Sequence, residues 1–451
     1  MGKYFGTDGF RGKAGEELLA THAFKIGRFL GKYLKSEGKT RAVIGKDTRL
    51  SSYMLEYAMA SGLCSVGADA YMLHVTTTPC VSYTVVNDHF DIGVMISASH
   101  NPYYDNGIKL INSNGEKIDE ELISKIEAFL DSEETQEIKS GKELGRIIDY
   151  SEGRNRYIAY LIGSSSLSFK GLRIGLDPAN GAGFMIAKSV FGALGAKVYM
   201  INDSPNGTNI NCECGSTNTG GLSELVKKAG LDMGFAYDGD SDRCIAVDEH
   251  GSEVDGDKIM YILARNLKNK GELLGNTIVT TVMSNMGLYD ALGEMGISHK
   301  ETRVGDFYVY EEIKKGGYSL GGEQSGHIIL SKYATTGDGI LTSIKLTEAV
   351  LESKSTLSVE AKDVVPYAQE TKNVNVKNKE ELLSLPKVKD AIKEAGEEFC
   401  RGDGRILVRP SGTEPLIRIM VESKSEEKLK RVLNKLFDII SSEAKNERAT
   451  F

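Results

Sequence analysis

One pattern occurs twice in full and a third time in outline. Residues 91–102, DIGVMISASHNP, and 232–243, DMGFAYDGDSDR, both open Asp-x-Gly, run through an apolar stretch and break into a polar loop. Upstream of each, a Gly-Ala pair (Gly67-Ala68, Gly195-Ala196) leads into another apolar run, DAYML or KVYMI. The fainter copy has TIVTTV at 277–282, a helical stretch, Gly296 with a short strand, and GYSLGGEQSGHIIL at 317–330. Recurrence on this scale means one supersecondary plan built repeatedly along the chain. Helical patterns near 18–35, 52–66 and 79–87 alternate with strands at 42–45 and 69–75, which predicts α/β units with a largely parallel sheet. Loops at strand ends are where such units carry function, so the three polar loops are the places to look for chemistry.

A chain of 451 residues has material for three or four domains. Its formal charge of -8 argues against a nucleic-acid surface, and an anionic substrate must be met by local Arg, Lys or a bound metal. The six cysteines, at 64, 80, 212, 214, 244 and 400, form no CxxC pair, and Cys212-x-Cys214 lacks zinc spacing. Reduced thiols and a cytoplasmic location are expected. MGKYFGTDG lacks the apolar core of a signal peptide, Gly6 stands where myristoylation needs Ser or Thr, and no apolar run reaches the length of a membrane span.

In the first loop, Ser99 follows the apolar strand Ile92–Ile96; Asn101-Pro102 and Asp105-Asn106-Gly107 signal turns before an apolar run resumes at 108–111. Ser99 is either the centre of the chemistry or a turn residue. In the second loop Asp238, Asp240 and Asp242 alternate with small residues, which points three hard oxygen donors one way and suits Mg²⁺ or Ca²⁺. A calcium loop competes, because Asp238, Asp240, Asp242, Ile245 and Glu249 fit EF-hand positions. Arg243, however, replaces its glycine, and the flanks read as strands. The third loop offers Glu323, Ser325 and His327 between glycines, either for sugar hydroxyls or as a hairpin turn. GTDGFRG (6–12) carries Asp8 and Arg11 and by itself is any turn. A last domain boundary falls near 362–371. Beyond it, RPSGTEPLIRIMVES (409–423) sets Ser411-Gly412-Thr413 beside Arg409 and Arg418, a phosphate nest or a capped turn before a strand. A charged amphipathic helix follows over 426–444.

The ordered set GTDGFRG, SASHNP with NGIK, DGDSDR, GGEQSGH and RPSGTEP resembles the α-D-phosphohexomutase superfamily over residues 6 to 423. VMSNMG (282–287) and Gln324 are similar to its phosphoglucosamine branch. Ser241, Asn218 and Phe307 depart from that branch's usual motifs, all outside the phosphoryl-transfer set. The resemblance implies three similar mixed α/β domains plus a smaller C-terminal α+β domain around a central cleft, with boundaries 1–150, 151–252, 253–364 and 365–451. It implies that Ser99 carries a phosphoryl group and that one Mg²⁺ lies between this phosphate and Asp238, Asp240 and Asp242. Lys109 would be general base and His100 a second proton carrier, with Arg11 and Arg243 offsetting charge. Glu323, Ser325 and His327 would face the sugar; Arg409, Ser411, Gly412, Thr413 and Arg418 would hold the phosphate that is not reacting. The implied activity is interconversion of glucosamine 6-phosphate and glucosamine 1-phosphate through a sugar 1,6-bisphosphate, feeding UDP-N-acetylglucosamine and cell-wall synthesis. The partners implied are a small phosphosugar, with neither nucleic acid nor membrane, and a homodimer is compatible. The alternatives are a phosphoglucomutase or phosphomannomutase and, in another class, a non-catalytic calcium or sugar-phosphate binding protein.

Overall fold

The computed structural model describes residues 2–6, 8–34, 40–132, 138–399, 402–411 and 415–449, with side chains to 445. They fall into two compact units: residues 1–284 with 295–363, and residues 285–294 with 364–451.

The first unit contains three sheets of related plan. In the largest, the strand order is Phe5–Gly6, Gly9–Lys13, Asp105–Asn112, Ile92–Ile96, Arg41–Lys46, Asp69–Val75, Ile147–Asp149. Arg41–Lys46 is central and parallel to both neighbours. Its residues alternate between two cores. Ala42 and Ile44 pack with Ile26, Leu30, Leu55 and Met59 of the helices Ala20–Tyr33 and Leu50–Ser65. Val43 points the other way, to Val81, Val85 and Phe90. Helices on both faces explain why this strand reads as a continuous apolar run.

The parallel order stops at the polar loop. Ile92–Ile96 pairs antiparallel with Asp105–Asn112, because the few residues between them are too short for a crossover helix and close a hairpin. The same happens twice more. In the second sheet Met233–Tyr237 lies parallel to Arg173–Asp177 and antiparallel to Cys244–Asp248. In the third, Leu320–Gly322 lies parallel to Thr277–Thr281 and antiparallel to Ile328–Leu330. The recurring sequence pattern is thus a strand that ends a parallel run and turns back on itself, with a polar tip. The sheets are mixed rather than largely parallel. Glycine-punctuated GTDGFRG is no simple turn; it forms the short pair Phe5–Gly6 and Gly9–Lys13, which extends the first sheet beside Asp105–Asn112.

The second unit is a three-stranded antiparallel sheet, Ala368–Asn375, Leu416–Ser423 and Gly404–Pro410, with Leu416–Ser423 in the middle. Leu429, Val432, Leu433, Leu436 and Ile440 recur at helical spacing on Glu426–Ala449 and bury against Ile417, Ile419 and Val421. Helix Met286–Glu294 belongs to this unit. Asn285, at its start, exchanges hydrogen bonds with the backbone of Tyr367 at 3.1 and 2.8 Å, and Met286 N–H donates to Glu422 at 2.8 Å. No helix among the described residues is long and apolar enough to cross a membrane.

Candidate active site

Ser99 sits at the first hairpin tip with φ 52°, in the left-handed region. Its loop is held from beneath. Arg49, fully buried, donates from Nε to Asp47 at 2.8 Å, from Nη2 to the carbonyls of Ser99 and Asn101 at 2.9 Å each, and from Nη1 to that of Pro102. Asn211 Nδ2 donates to the same Ser99 and Asn101 carbonyls at 2.8 and 3.0 Å. Ser97 Oγ donates to Asp47 at 2.7 Å and accepts the Ser99 N–H at 3.0 Å. With its carbonyls drawn inward, the loop presents Ser99 Oγ to Asp238, to which it donates at 2.5 Å. His100 Nδ1 lies 3.3 Å from the same hydroxyl. Burial, then Arg243 and Arg11, lower the His100 pKa to about 4, so the ring is neutral at pH 7.

The second tip brings Asp238, Asp240 and Asp242 together, with one oxygen from each within 4.8 Å of the others. The turn between them uses Ser241 at φ 57°, its N–H donating to the Asp238 carbonyl at 3.0 Å. Gly239 is required by contact: a Cβ there would stand 2.5 Å from the Ser99 carbonyl oxygen, so this glycine lets the two tips meet. Lys109 reaches in from strand Asp105–Asn112, with Nζ 2.7 Å from Asp240 and 3.1 Å from Asp242. Burial alone would lower its pKa, but Asp240, Asp242 and Asp8 hold it well above the usual lysine value. Asp238 is pushed well above the carboxylate range by burial and by its two acidic neighbours. Oδ1 of Asp240 and Oδ1 of Asp242 are buried and find no hydrogen-bond partner among the described residues. Three convergent carboxylates, two of which carry an unpartnered oxygen, fit a small divalent cation of the Mg²⁺ type. The calcium-loop alternative fails: strands flank the tip, and Glu249 accepts the Ser358 hydroxyl instead of joining the triad.

The remaining residues are distributed as follows. Arg11 pairs with Gly107 in register and donates to Asp8 and, at 3.4 Å, to Asn101. Arg243 N–H donates to Asp238 at 3.1 Å, and Arg243 forms a backbone bridge with His327 of the third tip. That bridge sets the sugar-facing candidates beside the aspartates. Glu323 accepts the Gly305 N–H at 3.0 Å, Ser325 is exposed at the turn, and His327 Nδ1 is 3.7 Å from Asp242. His327 is also a case of conflicting pulls. Burial would lower its pKa, yet Asp242, Asp306 and Glu323 raise it to about 9, whereas the Gly337 N–H donates to Nε2 at 3.0 Å and needs a lone pair there. The hydrogen bond decides for a proton on Nδ1, facing Asp242. In the second unit Arg409 and Arg418 lie directly opposite each other on adjacent strands, and Ser411 N–H donates to the Leu416 carbonyl at 2.9 Å. Gly412 and Thr413 lie outside the described residues.

Four consecutive segments match one family: residues 2–137, 155–251 and 255–367 match the alpha/beta/alpha domains I, II and III of phosphoglucomutase/phosphomannomutase, and 372–439 match its C-terminal domain. The chain belongs to the phosphoglucomutase/phosphomannomutase family. It is accordingly an enzyme of the phosphohexomutase superfamily. A phosphoglucosamine mutase from Lachnospira eligens is 54% identical over 98% of this chain and 99% of its own length. A family protein from Burkholderia thailandensis shares the fold at TM-score 0.80 and 22% identity, covering 97% of each chain. So does the N-acetylphosphoglucosamine mutase of Aspergillus fumigatus, solved with GlcNAc-6P and magnesium, at TM-score 0.69 and 17% identity over 98% and 96% of the two chains.

Within this phosphohexomutase several site residues went unread in the sequence. Arg49 and Asp47 left one signal: Lys46-Asp47-Thr48-Arg49 places charged residues directly after the apolar run at 42–45, and such groups stay buried only when paired. Asn211 left none, since its partners lie more than 100 positions away in sequence.

Proposed function

We propose that this enzyme interconverts glucosamine 6-phosphate and glucosamine 1-phosphate by way of a phosphoserine at Ser99. The observation that carries the reading is the meeting of three groups: the Ser99 hydroxyl 2.5 Å from Asp238, the aspartate triad, and the Lys109 ammonium between two of its members. A serine so placed serves as carrier, giving its phosphoryl to a sugar oxygen and taking back the phosphoryl from the other end of the 1,6-bisphosphate. Asp238, Asp240 and Asp242 would hold a Mg²⁺, whose charge offsets that of the transferring phosphoryl and of the leaving serine oxygen. Lys109, whose Nζ reaches the triad from strand Asp105–Asn112, would take the proton of the attacking sugar hydroxyl. Arg11 and Arg243 offset charge on the phosphoryl, and neutral His100 is the second proton acceptor. Glu323, Ser325 and His327 face the sugar. Arg409, Arg418, Ser411, Gly412 and Thr413 bind phosphate, and two arginines facing each other in register favour an anion.

The name borne by the 54% identical relative supports the glucosamine substrate, and the Aspergillus fumigatus complex supports magnesium. The reading places the enzyme in the cytoplasm, supplying amino-sugar phosphate for UDP-N-acetylglucosamine. Intact-mass measurement should find a phosphate on the wild-type chain and none on Ser99→Ala, which should also lack turnover. Comparing glucosamine, glucose and mannose 1-phosphates should give the highest kcat/KM for glucosamine; a clear preference for glucose or mannose would move the enzyme to the phosphoglucomutase or phosphomannomutase reading.

A further inference from the structure

Behind the Lys109 ammonium runs a line of alternating charges that reaches a different part of the first unit. Lys109 Nζ is 3.5 Å from Asp8 Oδ2; Asp8 Oδ1 is 2.8 Å from Lys117 Nζ; Lys117 Nζ is 2.8 Å from Asp306 Oδ1. His327 lies beside the far end of this line, its ring 3.5 Å from Asp306 and 3.7 Å from Asp242. Asp8 also accepts from Arg11. Asp306 opens helix Asp306–Gly316, and the residue before it, Gly305, donates its N–H to Glu323. One ammonium therefore touches two carboxylates that border, on one side, the groups around the reacting phosphoryl and, on the other, the loop facing the sugar.

We infer that Lys117 is a positioning residue for phosphoryl transfer: by bridging Asp8 and Asp306 it fixes Asp8, and through Asp8 the placement of Lys109 and Arg11. The inference rests on the phosphoserine reading. Asp8 has only two oxygens for three cations. Without Lys117 on Oδ1, its carboxylate is free to rotate toward Arg11 and Lys109, and either cation then moves relative to Ser99. Displacements of this kind, remote from the bond being broken, slow transfer far more than they weaken binding. The geometry also supplies a control. Glu116, the neighbour of Lys117 on the same hairpin, accepts from Tyr310 at 3.0 Å and from Lys314 at 2.9 Å on the same helix, joining the same two elements without touching the charged line. A residue that only clasps these elements would behave like Glu116.

Lys117→Met, Lys117→Arg and Glu116→Gln are compared with wild type in steady-state turnover of glucosamine 1-phosphate. The loss of phosphate from Ser99 on mixing with that sugar phosphate is followed by intact mass. Lys117→Met should lower kcat and the single-turnover rate on the order of 10- to 100-fold with KM within about threefold. Lys117→Arg, able to span both carboxylates, should recover most of the rate. Glu116→Gln should lower the melting temperature with kcat unchanged. Equal effects of Lys117→Met and Glu116→Gln on kcat, or a loss in Lys117→Met confined to KM, overturn the assignment. A misfolded Lys117→Met leaves the decision to Lys117→Arg, whose circular dichroism must match wild type: a wild-type KM with kcat lowered by less than about threefold supports the assignment, and a shift in KM alone overturns it. A wild-type enzyme that transfers no phosphate from Ser99 overturns the phosphoserine reading and this inference with it.

Discussion

At Ser99 the left-handed backbone costs a residue with a side chain about 1 kcal/mol, a strain the Arg49 and Asn211 contacts sustain. Ser99→Ala and Ser99→Gly should therefore both lack turnover yet differ in stability, the glycine variant unfolding about 1 kcal/mol later by thermal or urea melt. Equal melts would remove the strain from the account. Glu56 permits a pH test away from the site. Both its carboxylate oxygens are buried without a hydrogen-bond partner among the described residues, and Lys46 Nζ is 4.0 Å away. Burial, only partly opposed by Lys46, raises its pKa from the usual 4.5 to about 7. The folded chain thus holds this proton more tightly than the unfolded one. The contribution to stability is full below pH 4.5 and declines as the pH rises to about 7, by on the order of 3 kcal/mol. Glu56→Gln lacks that decline, so its melting temperature relative to wild type should rise between pH 5 and pH 8. At this scale the triad was legible because alternation in a short loop is itself geometry. Arg49 was not, because its meaning lies in carbonyls 50 or more positions away.

Among elements, strands and helices with strong periodicity were legible nearly to the residue: the strand Asp69–Val75 and the helix Thr78–Asn87 fall where the pattern puts them. Sheet direction was not. Alternation of helix and strand argues for parallel pairing, but direction is decided by connection length, and each polar loop is short enough to close a hairpin. That choice has a chemical result, since a hairpin tip projects beyond the strand ends and lets the Ser99 and Asp238–Asp242 loops meet. Arg49 serves the tip as a buried clasp. Arg49→Lys keeps the charge but loses the fork that reaches Asp47 and three carbonyls together. It should destabilise the chain by roughly 1.5–3 kcal/mol for each charge-assisted bond lost, and lower kcat more than it raises KM. Chemical denaturation and steady-state kinetics on the same preparation check both halves.

For the molecule as a whole, each unit pairs buried ions, as in Arg49–Asp47 and Arg405–Glu422, and the second also sets Arg409 opposite Arg418 in register. Burial, then Arg418, lower the Arg409 pKa. Arg409→Gln should leave the ligand-free chain as stable or slightly more so, and weaken sugar-phosphate binding by roughly 1.5–3 kcal/mol, measured by calorimetry. Unchanged affinity would leave the pair a structural feature. The second unit also takes in helix Met286–Glu294 from the middle of the third family segment. Asn285 there satisfies the backbone of Tyr367 in both directions, and Met286 engages Glu422. The C-terminal segment is therefore no detachable cassette. A foreign C-terminal segment joined at residue 364 would meet Asn285 with any non-proline residue at 367, but it would have to bring its own acceptor in place of Glu422 for the Met286 N–H.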